Sequence, residues 1–232
     1  MGHIHLTVPD PDAQLKVWTD VLGAQVTKTG PLTLAKLPGI FIVVTKADAT
    51  EGTEGSVVNH IGFLVKDYAA LKTKLQNSHI EMAFDRPENR QIMAVFPDKV
   101  RVEFFEDTSL ATPVTFHHIH IATSDQAGLQ AWYLKTFGAE KSSRRIYPSA
   151  KIPGGEVDFS EAKEALAPTK GRTLDHIGFE VKDLEPFVKQ LEAQGMKMDI
   201  PFRDVPAIGL KIAFIIDPVG TRIELTQGLA GR

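Results

Sequence analysis

A chain of 232 residues, 43% hydrophobic and 24% charged, has the makeup of an ordinary globular protein of one large or two medium domains. Its formal net charge of −3, with Lys and Arg scattered, gives no electrostatic footprint for nucleic acid or an anionic membrane. The lack of cysteine removes disulfides, thiolate nucleophiles and Cys-based zinc sites, so only His, Asp and Glu remain as strong metal ligands. No apolar run reaches the roughly 18 residues of a membrane span. No signal peptide precedes the first strand, so the expected compartment is the cytoplasm, with an exported protein that has lost its leader as the alternative.

Four short stretches set the organisation: His3 to Asp10 (HIHLTVPD), His60 to Asp67 (HIGFLVKD), His118 to Asp125 (HIHIATSD) and His176 to Asp183 (HIGFEVKD). Each has a histidine seven residues before an aspartate, with apolar residues alternating between them. That alternation is the mark of a half-buried strand, and it gives the four histidines equivalent strand positions. After the first stretch, Pro11 to Leu22 has helical spacing and ends at Gly23, a C-terminal cap. Gln25 to Lys28, Leu32 to Leu37 and Ile40 to Thr45 follow as strands, the last two joined at Pro38-Gly39. The unit reads βαβββ, and the polar stretch Asp48 to Gly55 links it to the next.

The second unit repeats the order with a helix over Tyr68 to Asn77 and strands near Ile80 to Phe84, Ile92 to Phe96 and Val100 to Phe105. Glu106 to Pro113 is polar and central, and it divides the chain into modules 1–107 and 114–232. In the third unit a helix over Gln126 to Phe137 carries Trp132 and Tyr133, read as core, and Ile152 to Ser160 repeats the Pro-Gly strand entry. The fourth has its helix at Leu184 to Gln194, strands at Met196 to Ile200, Leu210 to Ile216 and Thr221 to Thr226, and a turn at Asp217-Pro218-Val219-Gly220. The tail 227–232 is expected to fray.

Units two and four end alike, with a turn, an arginine and a glutamate in register: Arg101 and Glu103, then Arg222 and Glu224. A glutamate within an apolar strand needs a metal or a paired cation, because an unpaired buried charge costs several kcal/mol. Taken by halves, the chain offers His3, His60 and Glu103, then His118, His176 and Glu224. His5 and His120 share the strand face of His3 and His118, as contacts to the ligands or to a substrate, or as packing. His117 is expected on the opposite face and His79 near a helix end, both structural or exposed. Arg101 and Arg222 are read as ion-pair partners. Against the metal reading stands the plain alternative that duplication copied a histidine that only packs or hydrogen-bonds.

On these residues the chain resembles the vicinal oxygen chelate superfamily, which contains glyoxalase I, bleomycin-resistance proteins, fosfomycin-resistance transferases and extradiol dioxygenases. The resemblance implies an α+β fold of four βαβββ units forming two cupped mixed-sheet modules, with a divalent metal ion (Ni, Zn, Mn or Fe) held by the six residues just named. It also implies a glyoxalase-like lyase or isomerase. The metal would act as Lewis acid on a small substrate chelated through adjacent oxygens, with Glu224 or a water as base. His120, Phe214 and Arg144 are the expected substrate contacts, and Arg145 is a second candidate for an anion. Glyoxalase I also uses a carboxylate on the last strand of the odd-numbered unit. Unit one has no acid there, whereas unit three offers Glu156 and, preferably, Asp158 as a fourth ligand. Extradiol dioxygenases usually carry a tyrosine before the final turn and a histidine upstream. Here Phe214 stands in the tyrosine's place, and Asp204 to Leu210 has no histidine. Ring cleavage by Fe(II) is therefore a lesser alternative, beside a metal-free binding protein of the bleomycin-resistance kind. The expected partner is a small molecule, without nucleic acid or membrane, and the expected state is a monomer or homodimer.

Overall fold

Each repeat folds as a βαβββ unit in the computed structural model, which describes residues 2–230. Unit one comprises β1 (His3–Val8), α1 (Pro11–Leu22), β2 (Gln25–Thr29), β3 (Leu32–Leu37) and β4 (Ile40–Lys46). Unit two comprises β5 (Val58–Val65), α2 (Tyr68–Asn77), β6 (Glu81–Arg86), β7 (Gln91–Phe96) and β8 (Val100–Glu106). Unit three comprises β9 (Val114–Thr123), α3 (Gln126–Phe137), β10 (Glu140–Arg144), β11 (Tyr147–Ile152) and β12 (Gly155–Glu161). Unit four comprises β13 (Leu174–Glu180), α4 (Leu184–Ala193), β14 (Met198–Val205), β15 (Leu210–Ile216) and β16 (Arg222–Gln227).

The aspartate that closes each repeat is the N-cap of the helix that follows. Its carboxylate accepts backbone N–H groups of the first turn at Asp10, Asp67 and Asp125, satisfying donors that a helix start leaves unpaired. Gly23 and Gly138 end α1 and α3 at φ of 71° and 63°, the left-handed conformation that favours glycine. The strand β14 runs on to Val205, past the expected end at Ile200, because it lies at a sheet edge where register shifts around Ile200 and Arg203 accommodate Pro201.

Two eight-stranded mixed sheets result, in the orders β14-β15-β16-β13-β1-β4-β3-β2 and β10-β11-β12-β9-β5-β8-β7-β6. The first cup therefore joins unit one to unit four, and the second joins unit two to unit three. The expectation that each half builds its own histidine and glutamate triad is corrected by this pairing. Residues 107–113 have only to cross β5 to lay β9 antiparallel on its free edge, and units one and four are left to complete each other.

The halves cohere instead through the opposite sheet faces and the helices. Trp18 packs at 6.0 Å from Phe63 and 4.8 Å from Phe96, joining units one and two. Phe137 lies 4.8 Å from Phe179, and Tyr133 donates to Asp217 at 3.0 Å, joining units three and four. One continuous apolar core runs through all four units. Burying a side chain such as Phe63, 0% exposed, contributes about 1.5–3 kcal/mol.

The two seams, β1 on β13 and β5 on β9, place His3 opposite Gly178, His5 opposite His176, His118 opposite Gly62 and His120 opposite His60. Each glycine makes room for a ring: a Cβ on Gly178 would lie 2.1 Å from His3 Cε1, and one on Gly62 would lie 1.9 Å from His118 Cε1. Gly178→Ala is expected to destabilise the fold by about 1–3 kcal/mol through overpacking, a fall in Tm of about 2–4 °C per kcal/mol in a chain of this size. Differential scanning calorimetry measures it, and an unchanged Tm would refute the account of the seam.

Candidate metal centres and their cavities

In the first cup His3, His5, His176 and Glu224 bring their ligand atoms within 4.8 Å of one another. Glu224 Oε2 lies 2.9 Å from His3 Nε2 and 3.0 Å from His176 Nε2. Asp175 is the extra residue of a bulge in β13, which turns its carboxylate onto His176 Nδ1 at 2.6 Å. Arg222 holds Asp175 at 2.9 Å and Asp199 at 2.8 Å, so the expected ion-pair role of this arginine is met at the back of the site. Burial opposes charge on His176, but the hydrogen bonds from Asp175 and Glu224 outweigh it and raise its pKa. Burial likewise opposes charge on Glu224, and the hydrogen bond with His176 and the closeness of the His3 ring nonetheless hold its carboxyl well below the usual range. His3 is the exception to this pairing. Its contact with Glu224 has poor hydrogen-bond angles, and neither ring nitrogen has a hydrogen bond among the described residues. A buried imidazole with free nitrogens beside a carboxylate fits a metal ion.

The rest of the first cup is apolar and closed. Leu34, Phe41, Val43, Leu210 and Leu229 are buried together, with Ile208 and Ile212 against them. Phe214 packs at 5.1 Å from the His176 ring. At the mouth, the β2–β3 turn abuts the β14–β15 turn so closely that a Cβ on Gly30 would lie 2.5 Å from Ala207 O. The tail is ordered rather than frayed as far as it is described: Glu180 accepts the N–H groups of Gly228, Leu229 and Ala230 at 2.7, 3.0 and 3.3 Å, which seats Leu229 in the cup at 2% exposure. Gly231 and Arg232 lie outside the described residues.

The second cup gathers His60, His118 and His120, with Glu103 Oε2 at 3.4 Å from His60 Nε2 and 3.3 Å from His118 Nε2. Asn59, again a bulge residue, bonds His60 Nδ1 at 2.9 Å where the first cup has Asp175. Burial takes the pKa of His118 and His120 down to about 3. Burial also opposes charge on Glu103, yet His118 and His60 hold its carboxyl far below the usual range. Arg144 lies among these groups, 3.1 Å from His118 Nε2 and 3.9 Å from Glu103 Oε2, and is ion-paired to Asp158. Asp158, expected as a fourth ligand, is 0% exposed and has its other oxygen bonded by Ser149 at 2.5 Å. A cavity of about 670 Å³ opens above the cluster, lined by Phe84, Arg86, Arg101, Phe105, Arg145 and Tyr147.

The six expected ligands are thus brought together, but as His3, His176 and Glu224 in one cup and His60, His118 and Glu103 in the other. The expected substrate contacts part company: Phe214 lines the first cup, His120 and Arg144 the second. Arg101 pairs with Glu54 at 3.1 Å, and His79 is exposed. His117 does not simply point away; it is the extra residue of a bulge in β9, and its Nδ1 lies 3.0 Å from His118 Nδ1. Gly62, Gly178, Asn59 and Asp175 escaped the sequence reading. Their signal was the residue before each even-numbered histidine and the HIG of units two and four against the HIH of units one and three.

A model of the Glyoxalase/Bleomycin resistance protein/Dioxygenase superfamily matches residues 115–225. No curated protein sequence matches the chain. Glyoxalase I from Zea mays is similar in structure, with a TM-score of 0.74 at 16% identity over 97% of this chain and 91% of that one. A putative dioxygenase from Bacillus subtilis subsp. subtilis str. 168 gives 0.73 at 14% identity over 97% and 84%. The third and fourth units are thus matched in sequence by that superfamily's model, and nearly the whole chain shares the two-module fold of these solved structures.

Proposed function

We propose that the protein is a metal-dependent enzyme of glyoxalase type, a lyase or isomerase acting on a small molecule with two adjacent oxygens, and that its divalent metal ion sits in the first cup. The observation carrying this reading is the convergence of His3, His5, His176 and Glu224 around a buried imidazole that has no hydrogen bond among the described residues. Leaving such a group unpaired costs about 1–3 kcal/mol, which a cation between His3 and Glu224 removes. Nitrogen and oxygen donors of this kind suit Ni, Zn, Mn or Fe. When bound, the metal is a Lewis acid toward the two substrate oxygens.

The chain's own residues do the rest. Asp175 and Arg222 fix the His176 ring and keep its Nε2 aimed at Glu224. Glu224, held as a carboxylate, is the proposed base that takes a proton from the substrate carbon. Phe214 and the apolar residues around it exclude water from that transfer. Substrate reaches the site when the Leu229 tail leaves its seat. Modules 1–107 and 114–232 are proposed as the two sequence units, and both cups are completed within one chain, which supports a monomer. A second reading, capture of a small molecule without chemistry, is favoured by the cavity of about 670 Å³ in the second cup, with His120 and Arg144 as its contacts.

Elemental analysis of tag-free protein tests the metal. His176→Ala and His3→Ala are expected to lose it, together with turnover of α-keto aldehydes or α-hydroxy ketones, while Asp175→Asn weakens metal affinity by about 10–100-fold. Metal-free protein that turns over such substrates as fast as metal-loaded protein would refute the enzyme reading. The seal makes a separate prediction: Leu229→Ala, which shortens the side chain filling the cup, speeds release of bound metal to a chelator in a stopped-flow assay. A release rate equal to that of the wild type would mean that the tail does not gate the site.

A further inference from the structure

His60 Nε2, His118 Nε2 and Glu103 Oε2 form a nearly equilateral triangle with edges of 3.4, 3.3 and 3.4 Å. Donors about 2.05 Å from a tetrahedral ion lie roughly 3.3 Å apart, so the triangle has the size of a metal's ligand face. A different cation already sits against it. Arg144 Nη2 is 3.1 Å from His118 Nε2, where its hydrogen bond uses the lone pair a metal would need, and 3.9 Å from Glu103 Oε2. We infer that Arg144 is a built-in counter-cation that keeps metal out of the second cup, leaving one metal site per chain.

The guanidinium is anchored by a buried carboxylate and by His118. Its Nε pairs with Asp158, a fully buried carboxylate whose second oxygen accepts from Ser149 Oγ at 2.5 Å. Gln91 Nε2 occupies the remaining oxygen of Glu103 at 2.6 Å. Because an arginine stays charged throughout the accessible pH range, no protonation change clears the place. Burying a further divalent charge beside it would add like-charge repulsion in a poorly solvated site.

Register shows that this is a property of the second cup alone. Arg144 faces Tyr147 across its hairpin as Thr29 faces Leu32 in the first cup. Asp158 pairs with His120 as Val43 pairs with His5, and Ser149 pairs with Asp158 as Leu34 pairs with Val43. The same three positions are therefore charged or polar in one cup and uncharged in the other, and the first cup keeps its histidine and glutamate donors free of an arginine fork.

The inference rests on the first-cup metal reading only for the expected wild-type count. The test is nickel content per chain after loading with Ni²⁺ and desalting. Wild type is expected to hold one nickel, which His176→Ala removes and His118→Ala leaves in place. The double variant Arg144→Thr/Asp158→Val, which copies the first cup and removes both buried charges together, is expected to hold two. Adding His118→Ala to it returns the count to one. Arg144→Lys, which keeps a cation, stays at one, and Arg144→Leu is the second route to two should the double variant fold poorly. Two nickel ions in the wild type, one of them lost in His118→Ala, would overturn the inference while leaving the proposed function standing. A double variant and Arg144→Leu that melt normally but hold no additional nickel would also overturn it. A wild type without nickel, beside a double variant that gains one through His118, would uphold the inference and sink the first-cup reading.

Discussion

Both sites depend on antiparallel pairing between two strands that come from different halves of the chain. An imidazole can lie flat across a neighbouring strand only where that strand offers no side chain, and Gly178 and Gly62 supply that room for His3 and His118. The same register sets His5 against His176 at 4.3 Å between ring centres and His120 against His60 at 4.6 Å. The bulges at Asp175 and Asn59 then turn one polar side chain each onto the back of the paired histidine. Backbone pairing places the donors before any metal or substrate is considered. Loss of one hydrogen-bonded seam would scatter a whole site.

Much of this was legible in the sequence, because the signals concerned were local. Alternation fixed the strand face of His3, His60, His118 and His176, and the turn before Arg222 and Glu224 announced the last hairpin. What periodicity cannot encode is which free strand edge finds which. The two halves have equal claims on each other's edge strands, and the choice follows from a seven-residue crossing between β8 and β9 that reads simply as a polar linker. The bulges were illegible for a related reason: one extra residue shifts the facing pattern, so that His117 comes to touch His118 instead of pointing away. In sequence Leu229 reads as part of a loose end because a single apolar residue near a terminus carries no period. The Glu180 carboxylate and the apolar cluster of the first cup, brought alongside by folding, give the tail a place.

Duplication provides four copies of one frame, and the two cups show what the frame leaves free. Strand pairing, helix caps and the core on the opposite sheet faces are common to both, so substitutions there would cost the fold. The cup positions on β3, β4 and their counterparts β11 and β12 carry no such duty, since they face the site instead of the core. They have diverged in a coordinated way. Leu34 and Val43 make a dry wall in the first cup, while Ser149 and Asp158 at the same positions form a polar seat for Arg144 in the second.

The divergence has to be coordinated because each charge is buried. Asp158 alone at 0% exposure would be an uncompensated carboxylate, and Arg144 alone would face three imidazoles, two of which burial keeps neutral. Together they neutralise each other, and Arg144 Nη2 is left to donate to His118 Nε2. In the first cup the balance is struck without an arginine among the donors: Asp175 and Glu224 flank His176, and Arg222 stands behind Asp175 on the far side. The hydrogen bonds to Asp175 and Glu224 favour a proton on His176 there. In the second cup one guanidinium stands against two carboxylates, ion-paired to Asp158 and 3.1 Å from His118 Nε2, so the same set of histidines and glutamate has its arginine behind the donors in one cup and among them in the other.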